Sequence, residues 1–445
     1  MTTHDLPIAI IGGGPVGLAA AAQLVARGLE PIVLERGSSV GANVAEWGHV
    51  RIFTPWQYAV DQTAVALLEA HGWEHPDREA YPTGRELIER YLAPLAQTPE
   101  LAPRIHLDRD VIAVTREGFD KMRSSGRDNA PFLLTIRHSD GREEQLQARA
   151  VIDASGTWRQ PNPLGVSGRP AIGEEALRDR ITYGIPDVRT RQRARYAGKH
   201  ILVVGSGHSA FNVLLDLAAL ADDEPTTRIT WAIRRPADRL GHLFGGGDAD
   251  ALAERGALGS RVQQMVARGQ LTLEAGFGTT ELQETDDGIV VRAGERAIGP
   301  VDEIVATTGF RPDLAILAEL RLGLDPAVES PTALAPLIDP NLHSCGSVPP
   351  HGAIELAHPE KDLYIVGMKS YGRAPTFLML TGYEQVRSIA AALADDWDAA
   401  RRVELVLPET GVCNSTLSLD GAACCAPEPQ IISLSSLRMR ETVHG

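Results

Sequence analysis

The run Ile8 to Ile11 is unbroken by polar residues and stops at glycine; an alanine-rich stretch, Leu18 to Ala26, follows. A short apolar run without alternation predicts a parallel strand buried on both faces, and the alanine-rich stretch predicts a helix. A second apolar run, Pro31 to Leu34, closes this unit on Glu35. The succession returns at Lys199 to Val204, with a helical stretch to Ala221 and a strand Arg228 to Ile233 that ends in Arg234-Arg235. Two more runs end in small residues: Val151-Ile152-Asp153-Ala154-Ser155-Gly156, and Val301 to Gly309 followed by Phe310-Arg311-Pro312-Asp313. Such segments suit a chain passing close to a nucleotide or leaving one unit for another. Further on, Leu363 to Val366 predicts a strand, Gly367 a turn, and Thr376 to Leu393 a long helix with Pro375 or Thr376 at its start.

Between strand and helix, each unit carries glycines at fixed spacing. The first reads Gly12-x-Gly14-x-x-Gly17, with Pro15 inside it. Gly12 permits the tight turn, Gly14 lets backbone approach a pyrophosphate, and Gly17 lets helix and strand pack closely. The helix N-terminus offers free N–H groups and partial positive charge to phosphates. Glu35, followed by Arg36, is placed to accept hydrogen bonds from a ribose. The second reads Gly205-x-Gly207-x-x-Ala210, enclosing Ser206, His208 and Ser209. Its strand ends in arginines, which pair with a 2′-phosphate that an acid would repel. Two such sites predict a two-step electron route: NADPH at the second gives hydride to a flavin, FAD, at the first.

Length and charge narrow the class. At ~100–200 residues per domain, 445 residues make two or three domains. A net charge of −15 argues against a nucleic-acid partner. The apolar stretch Ala9 to Ala26 is interrupted by Gly12, Gly13, Gly14, Pro15 and Gly17, so no membrane span is expected there. The start Met1-Thr2-Thr3-His4-Asp5 lacks the basic residues of a signal peptide, and the expectation is a soluble cytoplasmic protein. Four cysteines, three of them between 413 and 425, do not make a secreted disulfide scaffold.

The two glycine turns, with Ala154-Ser155-Gly156 and Ala306-Thr307-Thr308-Gly309, resemble the two-dinucleotide-binding-domain flavoproteins over roughly residues 6–395, and among them the flavin-containing monooxygenases. The resemblance implies an α/β fold of two Rossmann-like dinucleotide-binding domains. It places the FAD domain at 1–165 and 300–395, an inserted NADPH domain at 166–299, and a cysteine-containing tail at 396–445. Gly156, Gly309, Gly367 and Met368 join the cofactor candidates. The chain departs from parts of the superfamily: no Cys-x-x-Cys or Cys-x₄-Cys occurs in its first 340 residues, so a dithiol relay beside the flavin is missing. Trp158-Arg159-Gln160-Pro161-Asn162-Pro163 stands where Baeyer–Villiger enzymes carry Phe-x-Gly-x-x-x-His. Gly367-Met368 replaces the Gly-Asp of disulfide reductases. The N-terminus of the last long helix could face the flavin N1–C2=O edge and stabilise the reduced anion. In the resembling enzymes, the region matching Trp47-Gly48-His49-Val50-Arg51-Ile52-Phe53-Thr54-Pro55-Trp56 runs along the flavin. Trp47, His49, Arg51 and Trp56 are therefore expected near the ring, with Arg373 a further contact for flavin or substrate.

The tail holds Cys413 and the adjacent Cys424-Cys425, while Cys345 stands apart. Vicinal cysteines do not readily bridge each other. Three thiolates suit a thiophilic ion such as As(III), Sb(III), Cu(I) or Zn(II), and trivalent arsenic takes three sulfurs in a pyramid. Absent paired spacing or a histidine cluster, structural zinc is disfavoured. Inert thiols, and a disulfide from Cys413 to Cys424 or Cys425, stay open. The run Leu407-Pro408-Glu409-Thr410-Gly411-Val412-Cys413, with Cys424-Cys425 and Gly367-Met368-Lys369-Ser370-Tyr371-Gly372-Arg373-Ala374-Pro375-Thr376, is similar to flavoprotein monooxygenases encoded beside arsenic-resistance genes. That resemblance implies dioxygen and a small-molecule substrate. A trivalent arsenical would be oxidised to the pentavalent form through a C4a-(hydro)peroxyflavin. Two alternatives remain: an NADPH-dependent thiol or disulfide reductase using the tail cysteines, and a metalloid-binding or redox-sensing flavoprotein.

Overall fold

The computed structural model describes residues 5–240, 243–244, 253–342, 348–375 and 377–405. Two all-parallel five-stranded sheets organise it. The first runs in the order Leu363–Ile365, Ala150–Asp153, Ile8–Ile11, Pro31–Leu34, Ile105–His106. The second runs Thr272–Ala275, Arg228–Ile233, His200–Val204, Glu303–Ala306, Ile181–Tyr183. Each apolar run without alternation is thus a strand covered on both faces, as its pattern requires. Two antiparallel three-stranded meanders flank these sheets, Arg109–Arg116/Phe132–His138/Glu143–Ala148 and Glu281–Thr285/Gly288–Ala293/Arg296–Val301. No described helix is long and apolar enough to cross a membrane.

The first glycine turn leads into the helix Pro15–Val25, with proline in its first turn and every residue from Val16 to Leu24 buried. A helix apolar all round must be covered all round. The sheet covers one side and the helix Met379–Leu393 another; the approach is so close that a Cβ on Gly382 would stand 2.7 Å from Val16. That second helix begins at Met379 after an extended Leu378, later than the expected start near 375; Thr376 lies outside the described residues.

Two boundaries differ from the sequence expectation. Glu303–Ala306 was expected beyond the return to the first unit at residue 300, yet it pairs with His200–Val204 inside the second sheet, so the return crossing follows Ala306. An apolar run ending in small residues suits either sheet, and only pairing decides. The tail expected from 396 begins as part of the body: the short helix Trp397–Arg401 docks on Met379–Leu393, where Arg387 Nη1 donates to Ala399 O at 2.9 Å and Ser388 Oγ to Ala400 O at 2.7 Å.

The two crossings between sheets are tied together. Asn162 N donates to Gly309 O at 2.9 Å, Asn162 Nδ2 to Thr308 O at 3.1 Å, and Thr308 Oγ1 to Asn162 O at 2.6 Å. Arg311 Nε reaches Asn162 Oδ1 at 3.0 Å, and the rings of Trp158 and Phe310 stack at 4.8 Å. A paired, aromatic-clamped double crossing restrains the angle between the units more than two separate strands of chain could.

Candidate active site

Both glycine turns lie at the carboxyl ends of central strands, where ligands of open α/β sheets bind. Gly12 has φ +103°, and a Cβ on it would stand 2.8 Å from Ala154 O; Gly17 would drive one to 2.0 Å from Gly12 O. Gly14, the cap residue of the helix, is extended, has no side-chain cap, and faces open space where a Cβ would point. The second turn repeats this. Gly205 has φ +131° with Thr307 O 2.4 Å from its would-be Cβ, while Gly207 is extended, uncapped and open. The donors at each helix start are therefore presented to a cradle kept clear of side chains, which fits a dinucleotide pyrophosphate.

Glu35 does more than wait for a ribose. Its Oε2 accepts from Gly13 N at 2.6 Å and its Oε1 from Gly37 N at 2.7 Å, so it shapes the turn itself. A carboxylate retains further lone pairs for a hydroxyl. Arg36 is exposed, 3.8 Å from Asp110. At the second site Ser206, His208 and Ser209 surround the helix start, and Trp231 Nε1 donates to Gly205 O at 2.7 Å, bracing the turn from beneath. Arg234 is exposed and Arg235 half-buried beyond the strand end; burial lowers the Arg235 guanidinium below its ordinary value.

The segment 47–56 divides. Trp56 is 1% exposed, a core side chain beneath the Arg90 guanidinium. It therefore departs from the expected place at a ring. Arg51 is exposed and donates to Tyr81 O at 3.1 Å. Trp47 is half-buried against Gly84, where a Cβ would meet its ring at 2.8 Å. His49 faces the second unit: burial lowers its pKa, and the nearby Asp187 carboxylate opposes that. Phe53 packs on His208. Aromatic and cationic composition announced a special segment, but not which side chains turn inward, because the loop has no period to read.

At the far edge of the first turn, Gly367 has φ +67°, and its N–H donates to Gln385 Oε1 at 2.8 Å. Gln385 Nε2 continues to Ser370 Oγ at 2.9 Å and to His351 Nε2 at 3.0 Å. Met368 is half-buried. Gly156 and Gly309, with φ +72° and +84°, start the two crossings. Arg373 is 3.8 Å from Glu329, and its guanidinium also approaches Gly168 of the second unit, so it stands between the units. Cys345, Cys413, Cys424 and Cys425 lie outside the described residues.

Sequence reasoning passed over Asp153 and Lys369. They form a buried ion pair at 2.7 Å beside the first turn. The signal was present: an acid inside the apolar run Val151–Ala154 requires a buried partner.

Two Rossmann-like units with uncapped helix starts and glycine cradles define a two-dinucleotide oxidoreductase. The chain belongs to the pyridine nucleotide-disulphide oxidoreductase family, whose profile matches residues 9–333. It is 29% identical over 323 residues to a ferredoxin–NADP reductase of Salinispora tropica, covering 72% of this chain and 79% of that protein. It is also 29% identical over 215 residues to an indole-3-pyruvate monooxygenase of Oryza sativa, covering 47% of this chain and 44% of that one. Its fold matches the bacillithiol disulfide reductase of Bacillus cereus with a TM-score of 0.63 at 19% identity, over 88% of this chain and 99% of the other. The protein is an oxidoreductase that uses FAD with NAD(P)H.

Proposed function

We propose that this chain is an FAD- and NADPH-dependent monooxygenase whose substrate is a soft nucleophile, a trivalent arsenical in the first instance. FAD belongs at the first turn, with Gly12, Gly14 and Gly17 admitting its pyrophosphate and Glu35 its ribose. NADPH belongs at the second, with Arg234 and Arg235 at the 2′-phosphate. The observation that carries the reading is the chemistry missing from the body: no cysteine precedes Cys345, so no dithiol stands in either sheet to relay electrons. When bound, FAD supplies two-electron chemistry between NADPH and dioxygen. The overall reaction balances: NADPH, a proton, dioxygen and the trivalent arsenical give NADP⁺, water and the pentavalent oxide.

The chain's own residues bind, orient and exclude water. The helix starts after Gly14 and Gly207 hold the two pyrophosphates. The double crossing at Asn162 and Thr308 fixes how the units face each other, and Phe53 and His49 cover the seam from the first unit. No protein nucleophile is required for oxygen transfer. Cys413, Cys424 and Cys425 are assigned to capture of the arsenical by three sulfurs.

A second reading is favoured by coverage of the ferredoxin–NADP reductase relative: an NADPH-dependent reductase whose acceptor is a redox protein or a disulfide. Oxygen and NADPH consumption by the FAD-loaded protein decides. The proposal expects oxygen uptake stimulated by methylarsenite or arsenite, with pentavalent product and little free peroxide. NADPH oxidation without oxygen, dependent on an added ferredoxin or disulfide and indifferent to arsenicals, would establish the reductase.

A further inference from the structure

Asp153 ends the strand Ala150–Asp153, level with Ile11 on one side and Ile365 on the other. Its neighbours thus lead directly into the Gly12 turn and the Gly367 turn. Asp153 is 0% and Lys369 2% exposed. Lys369 Nζ donates to Asp153 Oδ2 at 2.7 Å and to Ser155 Oγ at 3.0 Å. Asp153 Oδ1 accepts from Ser155 N at 3.1 Å and from Ser155 Oγ at 2.6 Å. The three side chains close a triangle. Ser155 Cα lies 3.1 Å from where a Cβ of Gly12 would be, and Gly367 packs on Val16 in the first turn of the helix.

A buried ion pair is a poor device for stability, because desolvating each ion is costly and apolar replacements often do as well. This one sits at the ligand-binding edge of the sheet, between the two turns that border the first cradle. The ligand expected there carries an anionic pyrophosphate, and its ring gains negative charge on reduction. A buried charge at that edge acts through a low dielectric and is felt strongly.

We propose that Lys369 and Asp153 are a positioning pair for FAD: together they hold Ser155 and the 367–371 turn as the wall of the flavin crevice and keep that wall electrically neutral. Removing Lys369 leaves an anion there and opposes both FAD binding and reduction. Removing the Asp153 charge leaves a cation and favours reduction. The inference rests on FAD occupying the first turn, and not on the identity of the substrate.

The test uses Lys369→Met, Asp153→Asn and the double variant in the full-length chain. Flavin fluorescence titration of the apoprotein gives affinity, and equilibrium reduction against an indicator dye gives midpoint potential. Lys369→Met is expected to weaken FAD at least 10-fold and lower the potential. Asp153→Asn, near-isosteric, keeps one acceptor oxygen for Ser155 but presents an amide N–H group in place of the oxygen that accepts from Lys369, and is expected to raise the potential. The double variant should return towards wild type. A purely structural pair predicts losses in thermal stability with potentials that stay put or move together, and that result overturns the proposal. Gly14→Ala separates the two premises. Its Cβ meets open space in the protein but fills the cradle, so it should lose FAD; retention of wild-type affinity would remove FAD from the first turn and the inference with it.

Discussion

The ring of Phe53 lies 5.2 Å from the ring of His208, so the loop after the first nucleotide unit touches the first residue of the helix that opens the second. His208 in turn meets Phe211 edge-on at 6.1 Å, which roots the contact in the core of the second unit. The seam between units therefore runs beside the second cradle.

Phe53→Ala should consequently act on the nicotinamide nucleotide. An aromatic pair contributes about 0.5–1.5 kcal/mol beyond burial, or about 2- to 12-fold in binding. The Michaelis constant for NADPH is expected to rise by that order while FAD affinity is unchanged. Steady-state kinetics with FAD content measured alongside checks both.

Coenzyme choice should reside in Arg234 and Arg235. Charge-assisted hydrogen bonds contribute about 1.5–3 kcal/mol each, about 10- to 150-fold. Arg234→Ser with Arg235→Gln should raise the NADPH Michaelis constant by at least that of one such bond and leave that for NADH nearly alone. Equal losses with both coenzymes would place the 2′-phosphate elsewhere.

Glu360 is a structural keystone. Its carboxylate accepts from Arg116 Nε at 2.8 Å and Arg127 Nη2 at 2.9 Å, with all three side chains buried. Burial alone would raise its pKa, but the bonds from Arg127 and Arg116 outweigh burial and hold it below the ordinary value. Its contribution is thus complete above the unfolded-chain value of about 4.3 and is lost as pH falls through the lower folded value. Glu360→Gln leaves two guanidinium groups buried without a carboxylate and should cost about 3–5 kcal/mol. A thermal shift at neutral pH, shrinking in acid, measures it.

Asp61 works in the opposite direction. Burial lifts its pKa to about 6 from 3.8, against hydrogen bonds from Ala64 N and Gln23. The folded protein therefore binds more protons between those values, and stability falls as pH rises through that window. Asp61→Asn keeps an acceptor for Ala64 N, 2.8 Å away, and removes the titration. The variant should gain melting temperature relative to wild type at pH 7 and not at pH 4.

Some of this architecture is legible locally. The Gly12 and Gly205 turns announce themselves because positive φ and backbone contact leave no side chain but hydrogen, and a strand and helix must flank them. The arginines after Ile233 and the acid after Leu34 are legible for the same reason: they sit at fixed places in a repeated unit. Trp56 lies in the core and not at a ring, because an irregular loop carries no periodicity to say which residue turns inward.

The sequence by itself therefore determined the two nucleotide-binding units and their cradles, since each depends on residues within about 30 positions of one another, and the lack of a dithiol in the body, since no cysteine precedes Cys345. Only the tertiary structure decided that Glu303–Ala306 joins the second sheet, that Phe53 meets His208, and that Asp153 finds Lys369 across 216 positions. Those pairings follow from how parallel strands are ordered in a sheet, and strand order is set by packing of the whole chain and not by any short stretch of it.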